Sequence, residues 1–484
     1  MDRADTDPWR RRSRVRSARL SNGLARSLAV ILILPFALGG ANNAVLTAAT
    51  AIVHLGWAAL ALALVPSDAR LVRRMAPVVL PLILLLGWTA LPFRPDLTPR
   101  LITPPAAPDL LGVAWCHAFS LVALLIGCAV AARLPGFRRT TATWLCLCAA
   151  ALITATLALR AFGTTEMVQR LVVDHRHHRF AGLIGNANAA GIFYGMLSLL
   201  LHGVARMRWR DWQTRPRGDL PTGAILAAFG VIVTLVLVAL SQSRTALAAT
   251  LVAHIACGIG YRSQRRSGHA LVRWSILALL LIATGVALWA SAGAVLSRYG
   301  ALGANGSGRI AISRHAIALA SQAPLTGYGL GGFDTVNQRQ LTPDTVLLVG
   351  DFGAAHNAPL QLAIEAGWPG LALVALALAT LLWRIARAPS TPANRSDTIG
   401  RTMLLAVAVA ATGSLVDIAL NVPAIAALSA ALLGITWGRT LRESATYPAR
   451  HHATHPNPWP TAAMRNAKAT PAGVSPSNRS IAPR

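Results

Sequence analysis

The stretch A-A-H-N-A-P-L-Q-L-A-I-E-A-G-W-P-G-L-A-L-V-A-L-A-L, from Ala354 to Leu378, joins a polar segment directly to a long apolar one. The apolar residues continue beyond this stretch. Such a run is typical of a membrane helix, which needs about 20 residues to cross a bilayer. Asn357, Gln361 and Glu365 recur every four residues, so a helix places them on one face. Because polar groups are costly in lipid, this face is expected to point into a helix bundle or a wet cavity.

The same stretch carries signals for a helix start and for an interruption. Asn357 is a suitable helix cap, and Pro359 is tolerated in a first turn. Gly367-Trp368-Pro369-Gly370 is expected to kink or break the helix, which would leave 358–366 as a short arm near the membrane surface. His356, just before the cap, is either a simple interfacial residue or part of a functional site.

The composition places the chain among membrane proteins. Its 484 residues are 54% hydrophobic and only 13% charged, which is too apolar for a soluble protein of this length. We therefore predict an all-α membrane protein with about 12 transmembrane helices. The predicted spans are 25–41, 43–65, 75–93, 110–132, 141–160, 182–204, 221–241, 245–260, 272–292, 358–383, 402–419 and 423–438.

The net charge of +28 would suit a nucleic-acid partner, but its distribution indicates membrane topology instead. Basic residues are concentrated in every second connection between predicted spans, as the positive-inside rule describes. With the basic N-terminus in the cytoplasm, the same side receives Arg70–Arg74, Arg133–Arg139, Arg206–Arg217, Arg262–Arg273, Arg384–Arg401 and the tail after Arg439. Both termini are thus predicted to be cytoplasmic, and no nucleic acid is expected as a partner.

A large loop divides the predicted spans unequally. The expected order is a basic cytoplasmic N-terminus at 1–24, transmembrane helices 1–9 within 25–292, a periplasmic loop at 293–357, helices 10–12 within 358–440 and a disordered cytoplasmic tail at 441–484. Such a long connection is usually functional or packs as a small subdomain. The five cysteines lie within or at the ends of predicted spans, so no disulfide framework is expected.

Two further polar sites are predicted on the face that carries the large loop. Arg179 precedes a span that opens with glycines and asparagines, and Arg244 ends the short turn Ser241-Gln242-Ser243-Arg244 between two spans. A lone arginine at a helix end is often a snorkelling anchor. A pair of arginines also suits a diphosphate, because each guanidinium donates a fork of hydrogen bonds and stays charged.

Four motifs together resemble those of one protein family. They are R-F-A-G-L-I-G-N-A-N-A-A-G from Arg179, S-Q-S-R-T-A-L from Ser241, G-R-I-A-I-S-R-H-A-I-A-L-A-S-Q-A-P-L-T-G-Y-G-L-G-G-F from Gly308 and A-H-N-A-P-L-Q-L-A-I-E-A-G-W-P-G from Ala355. Their order resembles the O-antigen ligase and O-antigen polymerase superfamily of bacterial polytopic membrane glycosyltransferases. The similarity is strong over about 180 to 390, and the first half of the chain contributes only its hydropathy.

The resemblance implies a C-type glycosyltransferase-like fold in the bacterial inner membrane. Such an enzyme moves a glycan from undecaprenyl diphosphate to an acceptor hydroxyl on the periplasmic face, without a metal or other cofactor and with inversion at the sugar carbon. His356 matches the essential loop histidine of the family. Arg179 and Arg244 match the arginines credited with binding the lipid diphosphate, and Arg309 matches the arginine of the loop helix. The implied partners are the lipid-linked glycan donor, a lipid A core or other glycan acceptor, and membrane lipids.

The residue types agree with this chemistry. A neutral imidazole suits the removal of a proton from an attacking hydroxyl near neutral pH. Fixed guanidinium groups stabilise the charge that a leaving diphosphate gains, and so take the place of a divalent metal. Asn357, Gln361 and Glu365 are expected to bind the acceptor or to orient His356, unless they are interior polar contacts.

Several weaker candidates stay open. Asp417 and Asn421, at the outer end of the eleventh span, are second-rank site candidates. The glycines of the turn Pro324–Phe333 either place backbone N–H groups against a ligand or form a structural turn. Metal ligation by Asp334, Asp344 and Asp351, or zinc binding at Asp174–His178, is the less favoured prediction.

The sequence leaves the acceptor open. A ligase acting on lipid A core ranks first, ahead of a repeat-unit polymerase and a protein O-oligosaccharyltransferase. A 12-span transporter is less favoured, because it predicts related halves and charged groups at the membrane midplane. Here the polar residues gather at one face, and one half alone carries a large loop.

Overall fold

The structure is a computed structural model. It describes residues 8–94, 96, 103–163, 173–174, 179–214, 220–262, 302–350, 352–388 and 397–441. These belong to a compact unit, Met1–Arg442, whereas the second unit, Glu443–Arg484, lies outside the described residues. The predicted span 272–292, the histidines of 175–178, Asp351 and the predicted tail after residue 441 also lie outside them.

The described part of the chain is mainly helical. The helices are α1 (Pro8–Ala37), α2 (Ala44–Leu64), α3 (Ala69–Ala90), α4 (Pro108–Ala131), α5 (Phe137–Phe162), α6 (Ala187–Gln213), α7 (Thr222–Leu240), α8 (Arg244–Arg262), α9 (Leu302–Gln322), α10 (Phe333–Arg339), α11 (Pro343–Val349), α12 (Ala358–Ala386), α13 (Thr398–Ser414) and α14 (Pro423–Gly438). Two short antiparallel strands, β1 (Val173–Asp174) and β2 (Arg179–Phe180), precede α6.

The helices confirm the all-α membrane fold that hydropathy predicts. Eight of them are long and apolar enough to cross a membrane: α1 from Val15, α2, α3 with the turn to Phe93, α4, α5, α6, α7 and α12. Three shorter apolar segments, Arg244–Gly258, Thr398–Ser414 and Pro423–Gly438, fall on three further predicted spans. The turn predicted at Gly39–Asn43 is present, with Asn43 capping α2.

Helix α6 lies at the centre of the bundle. Its most apolar window is 89% buried, far more than that of any other long apolar helix described. It packs against α7, α8 and α13. Small residues allow this close packing, because a side chain at Gly191, Gly195 or Gly203 would overlap hydroxyl-bearing residues of the neighbouring segments. The residues that begin α6 are therefore held rigidly at one end of the bundle.

The predicted break in α12 is confirmed at Gly367, whose backbone is non-helical with φ 70°. The carbonyls just before the break are satisfied from outside the helix. The N–H groups of Tyr328 and Gly329 donate to the carbonyls of Ile364 and Glu365 at 2.9 and 3.0 Å. Trp88 Nε1 donates to the carbonyl of Ala366 at 2.8 Å. The glycine turn Pro324–Phe333 therefore has a structural role, because it supports the break and packs against it.

Gly367→Ala is expected to destabilise the protein by about 3 kcal/mol or more, because it adds backbone strain and a steric clash. A Cβ at this position would overlap the carbonyl oxygen of Leu325, and the positive φ disfavours any side chain. Gly87→Ala in α3 is the control, since a Cβ there meets nothing within 4 Å. Thermal unfolding in detergent micelles measures both, and equal melting temperatures for the two variants would contradict this account of the break.

A buried carboxylate joins three helices at their ends. Asp397 caps α13 and accepts hydrogen bonds from Arg138 at 2.5 Å, Arg439 at 2.7 Å and the Gly400 N–H at 3.2 Å. Burial raises the pKa of Asp397, but the two guanidinium groups and the Gly400 N–H outweigh it, so the pKa lies below its ordinary value. The ionised carboxylate therefore stabilises the fold.

Asp397→Asn keeps the helix cap but removes the charge, and is expected to cost about 3 kcal/mol at neutral pH. Because folding depresses the pKa of Asp397, this stability is present above the unfolded-state pKa of about 3.9 and is lost as the pH falls below it. Thermal unfolding from pH 7 to pH 3 should show the wild-type and variant melting temperatures converging. Asp68→Asn, at the exposed cap of α3, is the control. A gap that stays constant with pH would contradict the prediction.

Candidate active site

His356 lies between α11 and α12 in an unfavourable backbone conformation. Its φ is 51°, in the left-handed region that Gly and Asn adopt more readily than other residues. Its ring packs edge-on against Phe352, with ring centroids 4.8 Å apart, and its side chain remains 28% exposed. The imidazole is thus held firmly while one part of it stays accessible.

Asp417 lies beside His356. Its Oδ1 atom is 3.4 Å from His356 Nδ1 and accepts a hydrogen bond from the Ile418 N–H at 2.8 Å. The residue is 7% exposed and lies three positions after the end of α13. A carboxylate at Nδ1 favours the tautomer that carries the proton there, which leaves the lone pair on Nε2.

Asn188, in the first turn of α6, connects this pair to Arg179. Its Nδ2 donates to Asp417 Oδ2 at 2.5 Å, and its Oδ1 accepts from Arg179 Nη2 at 2.6 Å. Arg179 Nε also donates to the Ser241 carbonyl at 2.9 Å. A continuous series of contacts therefore runs from the turn between α7 and α8 to His356. We call these four side chains, Arg179, Asn188, Asp417 and His356, the polar relay.

The polar face predicted on α12 forms a second network. Gln361 Nε2 donates to Glu365 Oε1 at 3.0 Å, while its Oε1 accepts from the Ala355 N–H at 3.2 Å and from Asn421 Nδ2. Asn357 caps α12 and donates to the Leu415 carbonyl at 2.9 Å. These contacts join the residues on either side of His356 to the segment that carries Asp417.

The large loop supports the same region. Asn337 in α10 is 1% exposed and donates to the carbonyls of Val349 and Phe352 at 2.9 and 3.1 Å. Its Oδ1 lies 2.9 Å from His315 Nε2 in α9. Because Phe352 packs on His356, Asn337 couples the loop helices to the position of the imidazole.

The structure places most of the predicted site residues. His356, Arg179 and the α12 side chains lie in the two networks above. Arg244 begins α8, three residues after the carbonyl that Arg179 binds, and is partly buried. Arg309 lies on α9, but its side chain is outside the described part of the structure.

Sequence reasoning undervalued two members of the polar relay. Asp417 ranked only as a second-rank candidate, and Asn188 entered only as a polar neighbour of Arg179. The available signal was a polar residue at the end of an apolar span, which gives no indication of its partner. Within the described residues, the structure contains no group of three or more His, Cys, Asp or Glu that could hold a metal.

The comparisons with known proteins agree with the motif order. A family model described as O-antigen ligase matches residues 229–375, which include Arg244, Arg309 and His356. No curated protein gives a significant match. The match over residues 229–375 supports the O-antigen ligase superfamily for this multi-pass membrane protein.

Proposed function

We propose that the protein is an inverting glycosyltransferase that moves a glycan from undecaprenyl diphosphate to an acceptor hydroxyl, with lipid A core as the first-ranked acceptor. The observation that carries this proposal is the contact of His356 with a buried carboxylate, which Asn188 and Arg179 link to an arginine-bearing turn. The match to the O-antigen ligase family model supports ligase or polymerase chemistry in general. The donor, the acceptor and the periplasmic orientation, with both termini in the cytoplasm, are parts of the proposal.

In the proposed reaction, His356 is the general base. Its Nε2 takes the proton of the acceptor hydroxyl while that oxygen forms a bond to the anomeric carbon. The bond from this carbon to the diphosphate oxygen breaks, and its electron pair leaves with the diphosphate. Asp417 orients the ring and stabilises the imidazolium that forms, as a carboxylate does for histidine in hydrolase triads.

Arginine side chains are proposed to stabilise the leaving group. Arg244 lies at the end of the turn whose Ser241 carbonyl Arg179 binds, and the family resemblance also credits Arg179 and Arg309 with this role. Charge develops on the diphosphate as the bond breaks, so a fixed guanidinium stabilises the transition state more than the ground state. The second network, with Asn357, Gln361 and Glu365, is proposed to orient the His356 segment, because its contacts run within the protein.

His356→Asn tests the proposed base. Asn tolerates the left-handed backbone at position 356 but supplies no comparable base, so the backbone is preserved while the chemistry is lost. We expect glycan transfer to fall by about 10²-fold or more. Mass spectrometry of lipid-linked and surface glycans, in a deletion strain carrying either protein, measures the change. Membrane protein levels and melting temperature serve as folding controls.

The lipid-linked glycans that accumulate distinguish the acceptor classes. Full-length chains on undecaprenyl diphosphate would indicate a ligase or a protein transferase, whereas single repeat units would indicate a polymerase. If the folded variant leaves both glycan pools as in the wild type, His356 is not the base and the proposed function is wrong.

A further inference from the structure

We propose that Arg179 and Asn188 are positioning residues for the His356–Asp417 pair, and that Arg244, rather than Arg179, contacts the donor diphosphate. This inference rests on the proposed function, because it assigns roles within the same site. It departs from the family resemblance, which credits Arg179 with direct diphosphate binding. The difference follows from the burial and the hydrogen bonds of Arg179.

Arg179 is poorly placed to bind a ligand directly. The residue is only 6% exposed, and its Nε and Nη2 atoms already donate to the Ser241 carbonyl and to Asn188. A diphosphate that bound the Nε edge of Arg179 as a fork would have to replace these acceptors, which would leave a buried carbonyl and a buried amide oxygen without their donor. Each unsatisfied buried group costs about 1 to 3 kcal/mol. The Nε edge of Arg179 is therefore occupied by acceptors of the protein itself.

The orientation of the Asn188 amide is fixed by its two neighbours. A guanidinium only donates hydrogen bonds, so Arg179 requires the amide oxygen. An ionised carboxylate only accepts them, so Asp417 Oδ2 requires the amide N–H. Asn188 thus matches a cation on one side to an anion on the other, and it holds the Asp417 carboxylate with Oδ1 toward His356.

Arg179 also fixes the turn that presents Arg244. The Ser241 carbonyl, bound by Arg179, belongs to the turn between α7 and α8, and Gln242 in this turn has a φ of 53°. Arg244 follows as the first residue of α8 and is more exposed than Arg179. The buried guanidinium of Arg179 therefore helps to position both His356 and Arg244.

Exchanging the Asn188 amide with the Asp417 carboxylate tests whether these two residues are directly coupled. Asn188→Asp alone places two carboxylates against each other. Asp417→Asn alone places an amide N–H either against the Asn188 N–H or against Nδ1 of His356. The double variant Asn188→Asp/Asp417→Asn restores the pattern, because Arg179 then donates to a carboxylate, which accepts from the new amide, whose oxygen faces His356. Residues that couple directly give non-additive effects in such a cycle.

Asn186→Asp is the matched control for Asn188→Asp. Asn186 caps α6 through a hydrogen bond from the Ala189 N–H at 2.9 Å, and Asp caps a helix as well as Asn does. Asn186→Asp thus adds the same charge to the same helical turn, at a side chain that accepts the capping hydrogen bond. We expect it to behave like the wild type, within about 2-fold in glycan transfer, because the helix cap is kept.

The exchange is measured by thermal unfolding and by glycan transfer in the deletion strain. We expect each single variant to lower both quantities, and the double variant to recover at least about 10-fold in transfer relative to Asn188→Asp, the size of effect expected for a coupled buried pair. If the double variant loses as much melting temperature and glycan transfer as the two single variants lose together, or more, the proposal is wrong.

The affinity for undecaprenyl diphosphate distinguishes the proposed roles of Arg179 and Arg244. Lysine keeps the charge but loses the fork of hydrogen bonds, so Arg244→Lys should weaken the Kd by about 10-fold, whereas Arg179→Lys should change it by less than about 3-fold. Arg179→Lys should instead lower glycan transfer by the folded protein at saturating donor. If Arg179→Lys weakens binding as much as Arg244→Lys does, Arg179 is a donor ligand and the proposal is wrong.

These measurements distinguish failure of this inference from failure of the proposed function. The melting-temperature cycle between Asn188 and Asp417 needs no activity, so it tests the polar relay even in a protein that transfers no glycan. Conversely, full transfer by His356→Asn would refute the proposed base while leaving the coupling of Asn188 to Asp417 measurable.

Discussion

A buried guanidinium in a membrane protein must have fixed acceptors, and the site is organised around this requirement. Arg179 is 6% exposed, and leaving its donors unpaired in a surrounding of low polarity would be costly. Its acceptors come from the turn after α7 and from the first turn of α6, and the amide of Asn188 continues the series to Asp417 after α13. Three parts of the bundle are thereby held in one arrangement.

The break in α12 meets a related requirement for backbone groups. A transmembrane helix normally satisfies its own carbonyls, and an interruption frees some of them in an environment without water. Here the donors are two N–H groups of the glycine turn and the indole of Trp88. This explains why the large loop packs on α12: the loop supplies two of the three hydrogen bonds that allow α12 to break near the polar face.

Hydropathy and turn chemistry predicted the helices well because both signals are local. The predicted turn at Gly39–Asn43, the tight connection at Ser241–Arg244 and the break at Gly367 all appear in the structure. His356 and Arg179 were also accessible from motifs. The bond between Asn188 and Asp417 was not, because it joins residues 229 positions apart and depends on how α6 and α13 pack. A single sequence records that each is polar, but not which partner satisfies it.

The backbone at His356 gives a separate argument about what this position supplies. A non-glycine residue in the left-handed region costs of order 1 kcal/mol or more, and it persists where the surrounding contacts determine the conformation. Asn357, Gln361 and Phe352 provide those contacts on both sides. Gly or Asn would relieve the strain at position 356, but neither has a basic ring nitrogen. The residue present is therefore less favourable for folding than the alternatives, and what it adds is an imidazole held against a buried carboxylate and partly open to its surroundings.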